Sequence, residues 1–173
     1  VGWLAADPWL MNAFQQFDEG KGEEPYKLMA AEIYDVKPED VDSAQRFIGK
    51  QSILGLQYQM GPDRFKAQVY AYGVEIEKSF AASVVKAYRA NCYRIPEFWK
   101  EMHHGAVNAI DTPGRVENIG KYLAFEFKQN VLWLHLPSGR RIAYIKPHLK
   151  EAKKLGIKGI KNDEEFMTIC AYS

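Results

Sequence analysis

The feature that most constrains the fold is a change of hydrophobic period at Thr112-Pro113-Gly114. Before it, apolar residues recur at helical spacing between proline and glycine breaks; after it, they alternate. Asp7-Pro8 reads as an N-cap followed by Pro at the first helical position, predicting a helix through about Phe17 that ends in the turn Glu19-Gly20-Lys21-Gly22. A second helix is predicted from about Pro25 to Tyr34. Lys37-Pro38-Glu39-Asp40 then opens a long helix to about Tyr58, with Pro38 near its first turn and acids at its positive end. Gly61-Pro62-Asp63 breaks that helix and starts another over 62–72, ended by Gly73. The segment 75–90 carries Ile76, Phe80, Val84, Val85 and Tyr88 at helical spacing, and 96–110 carries Phe98, Trp99, Met102 and Val107. These read as core stripes.

Past the break, Tyr122 to Lys128 alternates, Val131 to Leu136 is apolar around Trp133, and Arg141 to Ile145 follows the turn Pro137-Ser138-Gly139. A small antiparallel sheet with a hairpin is expected. Beyond Pro147 the polar, glycine-punctuated stretch LKEAKKLGIKGIKNDEEF predicts a loop or short helix. The expected fold class is therefore mainly α with a small antiparallel β-hairpin or sheet near the C-terminus. The expected division is a helical part over 1–115 and a hairpin with a basic tail over 116–173.

A chain of 173 residues, 47% hydrophobic and 13% aromatic, can bury a sizeable core. No run approaches the roughly 20 apolar residues needed to cross a bilayer, and no signal-like stretch opens the chain; a soluble, cytoplasmic protein without membrane partners is expected. Cys92 and Cys170 stand far apart with no Cys-x-x-Cys or His/Cys cluster, so they read as reduced thiols and no metal site is expected. Adjacent His103 and His104 point different ways on a helix and read as surface or packing residues, and His135 on a strand as a packing residue. The net charge of +1 hides an asymmetry: residues 1–45 hold three Lys or Arg against ten Asp or Glu, whereas residues 140–161 hold eight against the single Glu151. That basic tract, with Lys153, Lys154, Lys158 and Lys161, is open to two readings, a phosphate-contacting strip or a solvated charged face.

The stretch RFIGKQSILGLQYQMG, residues 46–61, puts Arg46, Lys50, Leu54 and Tyr58 at successive steps of four, on one helical face. The two cations stand about 6 Å apart along the axis, and Lys50 to Tyr58 spans about 12 Å, roughly the reach of a nucleotide from phosphates to base. Arg can fork onto phosphate oxygens while Lys supplies a point charge; Leu54 offers an apolar wall and Tyr58 a ring for stacking. The same stripe is also what an ordinary amphipathic surface helix presents.

This pattern resembles motif B of the family A DNA polymerases, the group of bacterial polymerase I and many phage enzymes. Upstream, LMNAFQQFDEG and EEPYKLMAAEIYDVKPEDVDSAQR resemble the family's lead-in to that motif, with Glu24-Pro25-Tyr26 where Asp-x-His is common. Downstream, VVKAYRANCYRIPEFWKEMHHGAVNAI and LPSGRRIAYIKP resemble its phage members. The resemblance covers residues 1–149 and implies part of a right-hand polymerase fold, the fingers. It implies that Arg46 and Lys50 hold the triphosphate, acting in catalysis as well as binding. It further implies that Leu54 sits at sugar height, where the family has Phe or Tyr, and that Tyr58 lies at the templating pair. Gln59, where Gly normally follows that Tyr, and Arg140 and Arg141 are implied DNA contacts. Tyr26 reads either as a further triphosphate contact or as a packing residue at a helix start.

The implied partners are dNTP, primer-template DNA and the remaining palm and thumb of a parent enzyme. Motif A is expected just upstream of Val1 and motif C after Ser173, so the carboxylates that hold Mg2+ in the family are expected outside this chain. No cofactor is expected within it, and it is expected to bind but not catalyse. The alternative is a helical nucleic-acid or protein interaction domain without catalytic activity.

Overall fold

The structure is a computed structural model that describes the backbone of residues 1–152 and 166–170 and the side chains of residues 1–149. The chain divides into two compact units, Val1–Trp99 and Lys100–Ser173. It is mainly helical, with a small antiparallel sheet towards the C-terminus.

In the first unit, a short helix α1 (Gly2–Ala5) precedes α2 (Pro8–Asp18), whose start is capped as expected: the Leu10 backbone N–H donates to Asp7 Oδ1 at 3.0 Å, with Pro8 in the first turn. Helix α3 spans Pro25–Tyr34. The long helix α4 runs Ser43–Leu56, shorter at both ends than the 38–58 expectation. Pro38–Asp40 forms only a 3₁₀ turn, and the chain is then extended at Val41, which is buried with Ala30 and Ala31. Helix formation restarts at a capping box in which Asp42 accepts from the Gln45 N–H at 2.8 Å and the Gln45 side chain accepts from the Asp42 N–H at 3.1 Å. Burying Val41 thus interrupts what Pro38 begins. At the other end, Tyr58 lies beyond the C-cap Gln57, and Gln59 adopts a left-handed φ of 62°.

Helix α5 covers Pro62–Ala71 and α6 Lys78–Asn91, the latter starting later than the expected 75 and leaving Ile76 outside it. Helix α7, Arg94–Asp111, begins two residues earlier than expected and carries Pro96 in its first turn, where a missing N–H costs nothing. The core of this unit gathers Met29, Ile48, Ile53, Leu56, Phe65, Val69, Val84, Val85, Tyr88 and Ile95, all buried. Helices α3 and α4 cross closely at Gly49, where a Cβ would collide with the Tyr26 carbonyl oxygen and lie 2.9 Å from the Ala30 nitrogen.

The second unit holds a four-stranded antiparallel sheet in the order β1 (Val116–Ile119), β2 (Leu123–Lys128), β3 (Val131–His135), β4 (Arg141–Ile145). Lys128 pairs with Val131, so β2 and β3 are joined by Gln129 and Asn130, both at positive φ as a two-residue hairpin turn requires. Strand β1 adds to the expected sheet; its alternation is too short to register in the sequence. One sheet face buries Ile119, Leu123, Phe125, Leu132 and Leu134, and Gly105 of α7 makes room for Ile119, whose Cδ1 would clash with any Cβ there. The expected loop or short helix after Pro147 is corrected in part: His148–Ala152 is a strand, β5, paired antiparallel with β6 (Phe166–Cys170). Pairing with a partner strand overrides the weak local preference of LKEA. Lys153, Lys154, Lys158 and Lys161 lie outside the described residues. Among the described residues, no helix is long and apolar enough to cross a membrane.

Candidate nucleotide site

Helix α4 runs unbroken from Arg46 to Leu54, so the spacing of four becomes a real face. Lys50, Leu54 and Tyr58 line one open cavity of about 510 Å³ with Phe47, Gln51, Gly55, Met60, Gln68 and Tyr72. This volume falls in the range of small-molecule sites. Tyr58, expected on the helix, instead stands on the turn after it, its N–H bonded to the Gly55 carbonyl at 3.2 Å. It still faces the same cavity, and it is 69% exposed. Leu54 is also exposed, an uncovered apolar side chain beside a cation.

The far wall comes from α5. Gln68 Nε2 donates to Gln51 Oε1 at 2.7 Å, and a Cβ on Gly55 would meet the Gln68 amide at 2.9 Å, so a small residue there lets the two helices approach. Phe47 and Tyr72 meet edge to face at 5.8 Å. The turn between the helices is braced from behind: Trp99 Nε1 donates to the Gln57 carbonyl at 3.1 Å, and Arg89 reaches the Met60 carbonyl at 3.4 Å while lying 5.7 Å over the Trp99 ring. The first of these bonds occupies the C-cap carbonyl of α4, one that a helix end leaves without an intrahelical partner.

Arg46 is differently placed. It is not among the residues lining the cavity; its Nε and Nη2 donate side-on to the two carboxylate oxygens of Glu24, each at 2.5 Å, and its guanidinium lies 5.8 Å from the Tyr26 ring centre. The pair is not a core ion pair, because the Arg46 side chain is 40% and the Glu24 side chain 22% exposed. Hydrogen bonding to Glu24 raises the Arg46 pKa further. Lys50 makes no ion pair among the described residues. The stripe is thus split into Lys50, Leu54 and Tyr58 around the cavity, and Arg46 with Tyr26 and Glu24 beside it. The sequence offers Glu24 only as the residue at the Asp position of the resembled lead-in, with nothing to pair it with Arg46, and the α5 wall carries no functional signal. Glu24 is 22 residues from its partner, a distance at which no local pattern signals a contact.

Gln59 sits exposed on the turn beside Tyr58. Arg140 and Arg141 belong to the second unit, at the β3–β4 turn, where Gly139 takes a φ of 79° and Leu136 N–H bonds the Arg140 carbonyl at 2.9 Å. Arg140 is exposed, and the Arg141 guanidinium lies 4.8 Å over the Trp133 ring. His135 Nε2 is buried 3.3 Å from Glu126 without making a hydrogen bond. His103 and His104 are ring neighbours at 5.8 Å. Cys92 is a free thiol whose pKa is pushed up by burial; the Cys170 side chain lies outside the described residues. Among the described residues, no three His, Cys, Asp or Glu side chains come together as a metal site.

No protein-family model matches the chain. Over 158 residues it is 30% identical to a DNA polymerase of Bacillus phage SP02, an alignment that covers 90% of this chain and 23% of that protein. The chain therefore spans about a quarter of its relative's length, and what the comparison supports is a relationship to a phage DNA polymerase.

Proposed function

We propose that the cavity between α4 and α5, with the adjoining Arg46, is the dNTP-binding face of the fingers of a family A DNA polymerase. The observation that carries this reading is that Lys50, Leu54 and Tyr58, a cation, an apolar wall and an exposed ring, line one cavity of nucleotide size. In the proposed pose the triphosphate lies against Lys50 and Arg46, with Tyr26 beside them; the sugar passes Leu54 and the base meets Tyr58. Gln59, Arg140 and Arg141 supply DNA contacts, Arg140 and Arg141 as cations for the phosphate backbone.

Within a longer polymerase the reaction is template-directed nucleotidyl transfer. There Lys50 and Arg46 offset the negative charge that builds on the departing pyrophosphate. The family's reaction uses Mg2+; the role proposed for the residues named here is binding and positioning of the nucleotide.

The test is titration of the chain with dNTP by calorimetry. Lys50→Ala should weaken binding roughly tenfold or more, the scale of one charge-assisted phosphate contact, and Leu54→Ala should weaken it less. Equal, small effects would reduce the stripe to a helix face.

A further inference from the structure

We propose that Glu24 is an intramolecular competitor for the triphosphate: it occupies the Arg46 fork when no nucleotide is bound and is exchanged for phosphate oxygens on binding. The inference rests on the nucleotide reading above and adds a residue that sets its affinity.

Side-on pairing through Nε and Nη2 is one of the two-donor arrangements by which an arginine takes a phosphate. Carboxylate and phosphate therefore compete for the same donors. Arg46 cannot offer that edge to a nucleotide while Glu24 holds it, and an approaching polyanion also meets the Glu24 charge.

Exchange is feasible because both side chains are reached by water. The displaced carboxylate also has a second position open to it. Glu24 is the N-cap residue of α3, yet its side chain makes no capping bond there; only its backbone carbonyl is used, by the N–H groups of Lys27 at 2.9 Å and Leu28 at 3.1 Å. A carboxylate beside the start of a helix is favoured by the positive end of that helix. Glu24 thus has two alternatives, the Arg46 guanidinium or its own helix start. The close crossing at Gly49 keeps α3 and α4 near enough for the exchange to need only side-chain rotation.

The experiment is calorimetric titration of the full chain with dGTP and, separately, with inorganic tripolyphosphate, using wild type, Glu24→Gln, Arg46→Ala, Lys50→Ala and the double variant Glu24→Gln/Arg46→Ala, each checked for an unchanged far-ultraviolet spectrum. Glu24→Gln should bind both probes five- to twentyfold tighter than wild type, and the gain should vanish in the Arg46→Ala background. An equal gain in both backgrounds would mean general charge removal and would overturn the exchange. Weaker binding by Glu24→Gln would mean that Glu24 holds Arg46 ready for phosphate, and would overturn it as well. If Arg46→Ala and Lys50→Ala bind like wild type, the nucleotide reading fails and the exchange with it. If those two lose affinity while Glu24→Gln gains none, only the exchange fails.

Discussion

Asp7 is fully buried, and both its carboxylate oxygens meet backbone N–H groups: Oδ1 accepts from Leu10 at the start of α2, and Oδ2 from Arg94 at the start of α7 at 3.2 Å. One side chain therefore serves two helix starts. Asp7→Ala would leave both donors without their partner, and the expected loss is about 2 to 3 kcal/mol of stability in denaturant unfolding. Burial raises the Asp7 pKa above its ordinary 3.8 despite the backbone bonds that lower it. The folded chain then holds this proton more tightly than the unfolded chain. Stability from this group is complete below the ordinary value and declines as pH rises through the raised folded value. Asp7→Asn has no such proton. Across a pH series starting near 3, the stability of wild type relative to Asp7→Asn should fall and then level off above the folded value; a difference that grows with pH would contradict a raised Asp7 pKa. Lys50 is the residue on which the nucleotide reading turns, and its alanine variant belongs in the same set of measurements, since a fold-neutral loss of dNTP affinity separates binding from stability.

Among the elements, the pairing of α3 with α4 organises the candidate site, and Gly49 sets its spacing. In an exposed helix Gly→Ala gains about 1 kcal/mol, but at this crossing the added methyl meets the α3 backbone rather than a movable side chain. Gly49→Ala should cost about 1 to 3 kcal/mol net and weaken dNTP binding by displacing Tyr26, whose carbonyl the methyl meets; a thermal melt paired with titration reads both effects. Helix α3 and strand β4 match their expected limits because their signals are local: Pro25 opens α3, and the turn Pro137-Ser138-Gly139 precedes β4. The start of α4 is not legible in the same way, because Pro38 is an equally good first-turn residue for a 3₁₀ turn, and only the burial of Val41 against α3 decides between them. Strand β5 is hidden for the same kind of reason, its partner lying beyond residue 165. In the candidate site, Lys50 and Leu54 are legible because four-residue spacing is a property of one helix, whereas Tyr58 reaches the same cavity from the turn beyond the C-cap. Gln68 and Tyr72 come from outside that helix and carry no local signature, and nothing local pairs Glu24 with Arg46.

At the scale of the whole molecule, the chain alone should not extend a primer-template with Mg2+ or Mn2+. Two-metal transfer needs carboxylates that converge on both ions, and none of the residues proposed here to hold the nucleotide is a carboxylate. Incorporation of labelled dNTP by the pure protein would overturn that expectation. The bond from Arg94 to Asp7 also bears on the order in which the first unit forms. It closes a separation of 87 residues, and bringing such distant points together costs chain entropy before any contact rewards it. The α3–α4 hairpin closes a far shorter loop and buries Met29, Ala30 and Ile48. Folding should therefore nucleate on α3 and α4, with α1 and α2 docking onto the start of α7 late. Substitutions at Asp7 would then speed unfolding while leaving the folding rate nearly unchanged, whereas those at Ile48 would slow folding. Stopped-flow chevrons of Asp7→Ala and Ile48→Val would distinguish this sequence of events from its reverse.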